Sequence, residues 1–387
     1  MIPYGRQDVD QADIDAVIRV LQSDFLTQGP AVPTFERAVA SLTGAAYALA
    51  MNSATAALHV ACLALEVGPG DLVWTTPNTF VASANAALYC GADVDFVDID
   101  PVTWNMSVSS LETKLQHARS ESRLPKVVIP VHFSGQATDQ KAIHALATEY
   151  GFRIIEDASH AIGASRDGDA VGSCRWSDIT VFSFHPVKII TTAEGGMALT
   201  NDGRLAERMA KLRSHGITRD SAQFVGAGGG AWYYEQQLLG FNYRITDIQA
   251  ALGTSQIERL GEFIARRTVL AQRYDALLAG LPLGLPHLDA GNLSSWHLYV
   301  VRLDPERTSV TRRALFDGMR SRSVGVNVHY TPVHLQPYYR AMGFHEGQFP
   351  EAEAHGAYAV TLPLFPGLAI NEQDSVVNAL HELLASD

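Results

Sequence analysis

Cysteine is scarce in this chain, with three in 387 residues, at positions 62, 90 and 174. None forms a Cys-x-x-Cys pair and all lie among small or apolar residues. That excludes a disulfide framework and a cysteine metal site, and predicts reduced thiols and no metal. Charge is also limited, at 18% of residues, and its balance is acidic, with a net charge of -12. An acidic surface repels phosphate backbones, so nucleic acid is not expected as a partner. An anionic ligand would need a local basic pocket or helix N-termini. Long apolar runs are missing: the longest, such as residues 80–90, are interrupted by Ser and Asn and too short to span a bilayer. Met1-Ile2-Pro3-Tyr4-Gly5-Arg6 has no charged-then-apolar leader pattern. A soluble cytoplasmic protein without a membrane partner is expected.

What the chain does have is a 47% hydrophobic content and enough length for one large and one smaller domain. Apolar residues at helical spacing predict helices over 10–23, 32–42, 53–65, 79–90 and 139–150. Between them lie short apolar strands at 46–51, 72–75, 94–98, 126–132 and 153–156. Alternation of apolar strands with helices predicts an α/β fold with a mainly parallel sheet covered on both faces, whose ligands sit at the carboxyl ends of the strands. Past residue 250 the pattern changes. One long helix is expected over 256–278, then strands at 295–303 and 324–330 flanking a helix at 310–320, and a closing helix at 373–384. A large domain of residues 1–254 and a small α+β domain of residues 255–387 follow from that change. Gly226 to Gly230 reads as a loop of the large domain.

Lys188 ends the motif Ser183-Phe184-His185-Pro186-Val187-Lys188, after the apolar run 179–184 and before Glu194-Gly195-Gly196. A partly buried lysine sheds its proton and becomes a nucleophile, the chemistry of a Schiff-base lysine. A lysine snorkelling to water at a strand end is the other reading. Asn52-Ser53-Ala54-Thr55 lies where a strand meets a helix, suited to a phosphate or to a plain N-cap. Asp157 closes an apolar strand and can pair with a pyridinium nitrogen or cap the next turn. Phe80 can stack on a flat ring or belong to the core. His160 and His185, taken alone, read as structural.

The order of these features is more telling than any one of them. With SDFLTQGP (23–30), NSATAALH (52–59), PNTFVAS (77–83), EDASHA (156–161), LGFNYRI (239–245) and NVHYTPVHLQPY (327–338), the chain resembles, nearly end to end, the DegT/DnrJ/EryC1/StrS sugar aminotransferases. These are fold-type I enzymes that use pyridoxal 5'-phosphate (PLP), with pyridoxamine phosphate as the intermediate form. The resemblance implies a large domain with a seven-stranded sheet and a smaller C-terminal α+β domain. It implies that Lys188 is the Schiff-base lysine and that Asp157 pairs with the ring nitrogen. Phe80 would stack on the ring and His160 would lie on its other side or near its hydroxyl. Ala54, Thr55 and Ser183 would hold the phosphate, with Asn242 reaching the cofactor of a second subunit in a homodimer.

The resemblance also implies a sugar-nucleotide pocket lined by Tyr4, Ser53, Phe25, Leu26, Thr27, Gln28, Asn327, His329 and Tyr330. Arg213 and Arg219 are candidate diphosphate partners, since an arginine fork suits phosphate. Within the family the likeness is strongest to the pseudaminic acid branch. The expected reaction moves an amino group from L-glutamate, leaving 2-oxoglutarate, to C4 of a UDP-linked 4-keto-6-deoxy-N-acetylhexosamine. One branch of the family lacks the lysine and dehydrates its substrate, so Lys188 implies a transaminase. Two alternatives remain at this stage: a family aminotransferase acting on another nucleotide-linked 3- or 4-ketosugar, and a PLP-binding regulator that has lost turnover.

Overall fold

A computed structural model describes residues 1–385. Its centre is a seven-stranded sheet in the order Tyr47–Met51, Gly196–Thr200, Ile179–Ser183, Arg153–Asp157, Val127–Ile129, Leu72–Thr75 and Asp93–Phe96. Gly196–Thr200 runs antiparallel to both of its neighbours, and every other pairing in the sheet is parallel. The fold is therefore α/β with a mainly parallel sheet, as expected.

Successive side chains on a strand point to opposite faces, and in the central strands both faces are apolar. Ile155, Val181 and Ala198 join one core, together with the helices Ala54–Ala64, Ala82–Tyr89 and Gly203–Leu212. Phe182, Met197 and Leu199 join a second core with helix Ala31–Thr43. Trp74, Val128 and Ile154 join a third with the helices Val108–Ser120 and Gln140–Tyr150. Each central strand is thus clamped between helix layers, which leaves its ends as the place where polar groups can gather.

The C-terminal part builds a three-stranded antiparallel sheet, Leu283–Gly284, Tyr299–Leu303 and Ala359–Leu362. It shares an apolar core with the helices Leu260–Leu278, Arg312–Ser321 and Ile370–Leu384. Two expectations need correction here. The helix predicted over 256–278 is two helices, Asp247–Glu258 and Leu260–Leu278, separated at Arg259 (φ -98°, ψ 3°). At this break the Arg259 guanidinium reaches back to Asp8 (2.8 Å), Asp10 (3.2 Å) and Asp13 (2.5 Å). The strand predicted over 324–330 is an extended segment with single bridges from Val324 to Ile2 and from Asn327 to Thr361. Asn327 Oδ1 accepts the Val328 N–H at 2.8 Å, which removes a donor that a regular ladder would need. Among the described residues, no helix is long and apolar enough to cross a membrane.

Candidate active site

Lys188, Asp157 and the start of helix Ala54–Ala64 meet at one cavity of about 540 Å³. Topology explains the meeting. Strands Arg153–Asp157 and Ile179–Ser183 are parallel neighbours with Asp157 opposite Val181, so their carboxyl ends lie on the same side of the sheet. After Ser183 the chain leaves the sheet, carries Lys188, and re-enters as the reversed strand, with Ser183 opposite Gly196. Phe184 N–H donates to Gly195 O at 2.9 Å and Thr192 N–H to Phe184 O at 3.0 Å, closing the loop on itself.

Lys188 is half-buried, and burial pushes its ammonium down from 10.5 to about 8, against the pull of the Asp157 carboxylate. Asp157 is buried, and two donors fix its carboxylate: Ser83 Oγ at 2.6 Å on Oδ2 and the Ser159 N–H at 3.1 Å on Oδ1. Ser83 is itself buried and hydrogen-bonded to Thr79 Oγ1 at 2.8 Å.

At the helix start, Ser53 is an extended N-cap whose hydroxyl accepts the Ala56 N–H at 3.1 Å. That leaves the first-turn N–H groups of Ala54 and Thr55, which line the cavity, without intrahelical acceptors and at the positive end of the helix dipole. Gly196 packs against this turn. A Cβ there would lie 2.4 Å from Ala54 N and 2.5 Å from Ala54 Cα, so only glycine lets the reversed strand and the helix start approach so closely.

The opposite wall is aromatic. His160 is buried and its imidazolium is disfavoured by burial, by the Lys188 cation and by His329. His297 is buried with its ring centroid 4.4 Å from that of His160, and burial again keeps it well below the usual histidine range. Burial takes His329 down to about 3, and its Nδ1 is 2.7 Å from Thr361 Oγ1. Tyr330 Oη lies 3.1 Å from His160 Nε2, and burial raises its phenol above the usual tyrosine value. The wall is therefore neutral at ordinary pH, and Lys188 is the group poised to exchange a proton there.

These residues fit pyridoxal phosphate. An amine shifted toward neutrality can take the carbonyl, a buried oriented carboxylate can take the ring nitrogen, and a helix start with free N–H groups can take the phosphate.

Of the residues singled out from sequence, Tyr4, Ser53, Ala54, Thr55, Phe80, Asp157, His160, Ser183, Lys188, Asn327, His329 and Tyr330 line the cavity. His185, which read as structural, lines it too, and the others lie elsewhere on this chain. Phe25, Leu26, Thr27 and Gln28 form an exposed loop, and Asn242 is exposed. Arg213 is committed to an ion pair with Glu36 and to the Ala50 carbonyl at 2.8 Å. Arg219 is exposed, its guanidinium 5.4 Å from the centre of the Tyr234 ring. Sequence reasoning missed Ser83, Ser134 and His297. Ser83 stood within the PNTFVAS segment, four residues after Thr79, and the bend before helix Ala82–Tyr89 brings the two hydroxyls together. His297 carried no local signal, since it reaches the cavity from the C-terminal part of the chain.

The model of the DegT/DnrJ/EryC1/StrS aminotransferase family matches residues 7–381. The chain is 36% identical over 386 residues to the spore coat polysaccharide biosynthesis protein SpsC of Bacillus subtilis, covering 99% of this chain and 97% of that protein. Helicobacter pylori PseC, an aminotransferase involved in the biosynthesis of pseudoaminic acid, superposes with a TM-score of 0.91 at 28% identity and full coverage of both chains. The putative sugar aminotransferase Spr1654 of Streptococcus pneumoniae, solved in its PMP form, superposes with a TM-score of 0.89 at 29% identity, covering 100% of this chain and 99% of that one.

Proposed function

Because this chain belongs to the DegT/DnrJ/EryC1/StrS aminotransferase family, whose members depend on PLP, we propose that it moves an amino group from L-glutamate to C4 of a UDP-linked 4-keto-6-deoxy-N-acetylhexosamine. The observation that carries the reading is the placement of the Asp157 carboxylate, at the end of one strand, and the Lys188 amine, on the loop that leaves its parallel neighbour, at one cavity. The choice of substrate is supported by the matching segments at 23–30 and 327–338 and by the likeness to PseC.

Bound in this cavity, the cofactor supplies a carbonyl that accepts an amino group and a ring that delocalises the electrons left when a carbon-bound proton is removed. Lys188 Nζ then has two tasks. As a neutral amine it would take the α proton of L-glutamate, and it would later give a proton to C4 of the sugar. An amine with a pKa of about 8 can hold or release a proton near neutral pH, which an ordinary exposed lysine does poorly. Asp157, held by Ser83 and the Ser159 N–H, pairs with the ring nitrogen. The free N–H groups of Ala54 and Thr55, with Ser183, would hold the phosphate, and Phe80 would cover a ring face. Tyr4, Asn327, His329 and Tyr330 form the sugar side of the cavity. The reading includes a homodimer, in which the exposed Asn242 and the exposed loop 25–28 serve the cavity of the second copy.

The test is to incubate the purified protein with L-glutamate and a panel of UDP-linked 4-ketosugars, and to locate the new amine by NMR. An amine on C4 of the 6-deoxy-N-acetylhexosamine is expected. An amine on C3, or no reaction with any UDP sugar, overturns the substrate assignment. A protein that binds no PLP overturns the whole reading.

A further inference from the structure

The His160 ring has two nitrogens and each has one neighbour. The Ser134 N–H donates to Nδ1 at 3.3 Å, so Nδ1 carries the lone pair. His160 is neutral, so its single proton sits on Nε2, where Tyr330 Oη is 3.1 Å away. The imidazole therefore donates and the tyrosine oxygen accepts. Tyr330 keeps its own proton, and this hydroxyl has no acceptor among the described residues other than whatever occupies the cavity it lines.

The chain of donors begins at a constrained turn. Ser134 sits in the left-handed region (φ 56°, ψ 4°), a conformation few L-residues adopt freely. The turn is pinned from the C-terminal part of the chain, by the Leu298 N–H on Ser134 O at 3.2 Å and the Ser295 N–H on Gly135 O at 3.1 Å. Gly135 (φ 102°) has no room for a side chain, since a Cβ would lie 2.7 Å from Ser295 Oγ. Ser295 Oγ also donates to His160 O at 2.9 Å. Segment 295–298 thus holds both the backbone of His160 and the N–H that sets its tautomer.

We propose that Tyr330 presents a fixed O–H donor to an acceptor oxygen bound in the cavity, and that Ser134 and His160 act through it as positioning residues. This rests on the function proposed above for the identity of the acceptor, which is either the oxygen of the cofactor's ring hydroxyl or a carbonyl or hydroxyl oxygen of the ketosugar. His160 itself has no proton left to offer a ligand.

The experiment is a double-mutant cycle on the holoenzyme with Tyr330→Phe and His160→Leu, plus His160→Gln, whose amide can accept from Ser134 and donate to Tyr330. Two quantities are read. One is the pH midpoint of the cofactor's visible band without substrate, which reports an acceptor on the cofactor. The other is the split between KM and kcat for the ketosugar, which reports an acceptor on the sugar. Tyr330→Phe should move the midpoint by about half a unit or more, or lower kcat/KM for the ketosugar about tenfold. His160→Leu should do the same, the double variant should be no worse than Tyr330→Phe, and His160→Gln should recover most of the loss. The proposal is overturned if His160→Leu still exerts its full effect in the Tyr330→Phe background, or if Tyr330→Phe changes neither quantity. A wild type that transfers no amine to a UDP ketosugar would defeat the substrate assignment instead, while the absorption measurement would still decide the role of Tyr330.

Discussion

Replacing Lys188 with methionine should make the cofactor-free protein more stable at pH 7. Burial in the cavity holds the lysine ammonium at about 8 instead of 10.5, even with the Asp157 carboxylate nearby. A difference of that size corresponds to about 3 kcal/mol against the charged form. Because the side chain is half-buried, solvent screens part of this, and a gain of about 1–3 kcal/mol is the reasonable range. Below pH 8 both folded and unfolded chains carry the proton, so the folded state bears the full cost. Between about 8 and 10.5 the unfolded chain still binds the proton and the folded chain does not, so the stability of the wild type rises with pH. The variant has no such group and lacks that rise. Urea unfolding of the two cofactor-free proteins, followed by tryptophan fluorescence at pH 7 and near pH 10.5, measures the difference directly. Effects of other titrating groups cancel in the comparison. A variant less stable than wild type at pH 7, or an advantage that does not shrink as the pH rises, would refute the reasoning.

Ser83→Ala removes the 2.6 Å donor on Asp157 and leaves a buried carboxylate short of a partner. It should lower unfolding free energy by about 1.5–3 kcal/mol in urea titrations, with faster loss of cofactor on dialysis. Gly196→Ala forces a Cβ to within 2.4 Å of Ala54 N, against backbone rather than a movable side chain. The variant should be isolated largely free of PLP, as its absorption spectrum would reveal, and a fully loaded variant would show that the helix start is not the phosphate cradle. Arg213→Met breaks the ion pair with Glu36 and should cost about 1–3 kcal/mol of stability. The KM for the ketosugar should change less than about twofold, and the opposite pattern would restore Arg213 as a diphosphate partner.

The elements legible in the sequence were those whose pattern is local. The helix over residues 54–64 announced itself through Ser53 as cap and a run of small apolar residues, and the strand at 72–75 was bounded by a Gly-Pro-Gly-Asp turn. The strand Gly196–Thr200 was not read as one, although it is wholly buried. It is five residues long, starts at a glycine, and gains its identity only from pairing on both sides. The break at Arg259 was invisible because the helical apolar spacing continues across it, while its ion partners lie some 250 positions away in the chain. The same distance in sequence hid the far wall of the site. Lys188 and Asp157 follow apolar strands and could be read from their own neighbours. Ser134 and His297 matter only because the C-terminal segment 295–298 is folded onto the turn at 133–135.

The reversal of Gly196–Thr200 has a consequence for how the site could change over time. In a uniformly parallel sheet, the chain after Ser183 would have to travel to the opposite edge before re-entering, and the lysine would ride on one end of a long connection. Here the segment from 184 to 195 leaves and returns at the same edge, between two strands already hydrogen-bonded to each other. It behaves as a cassette with two fixed clasps. Substitutions within it can retune the amine's surroundings while the sheet stays in register. A change in its length has no slack to absorb it and would swing Lys188 away from Asp157. Diversification of substrate is therefore easier in the walls that face this cassette than in the cassette itself.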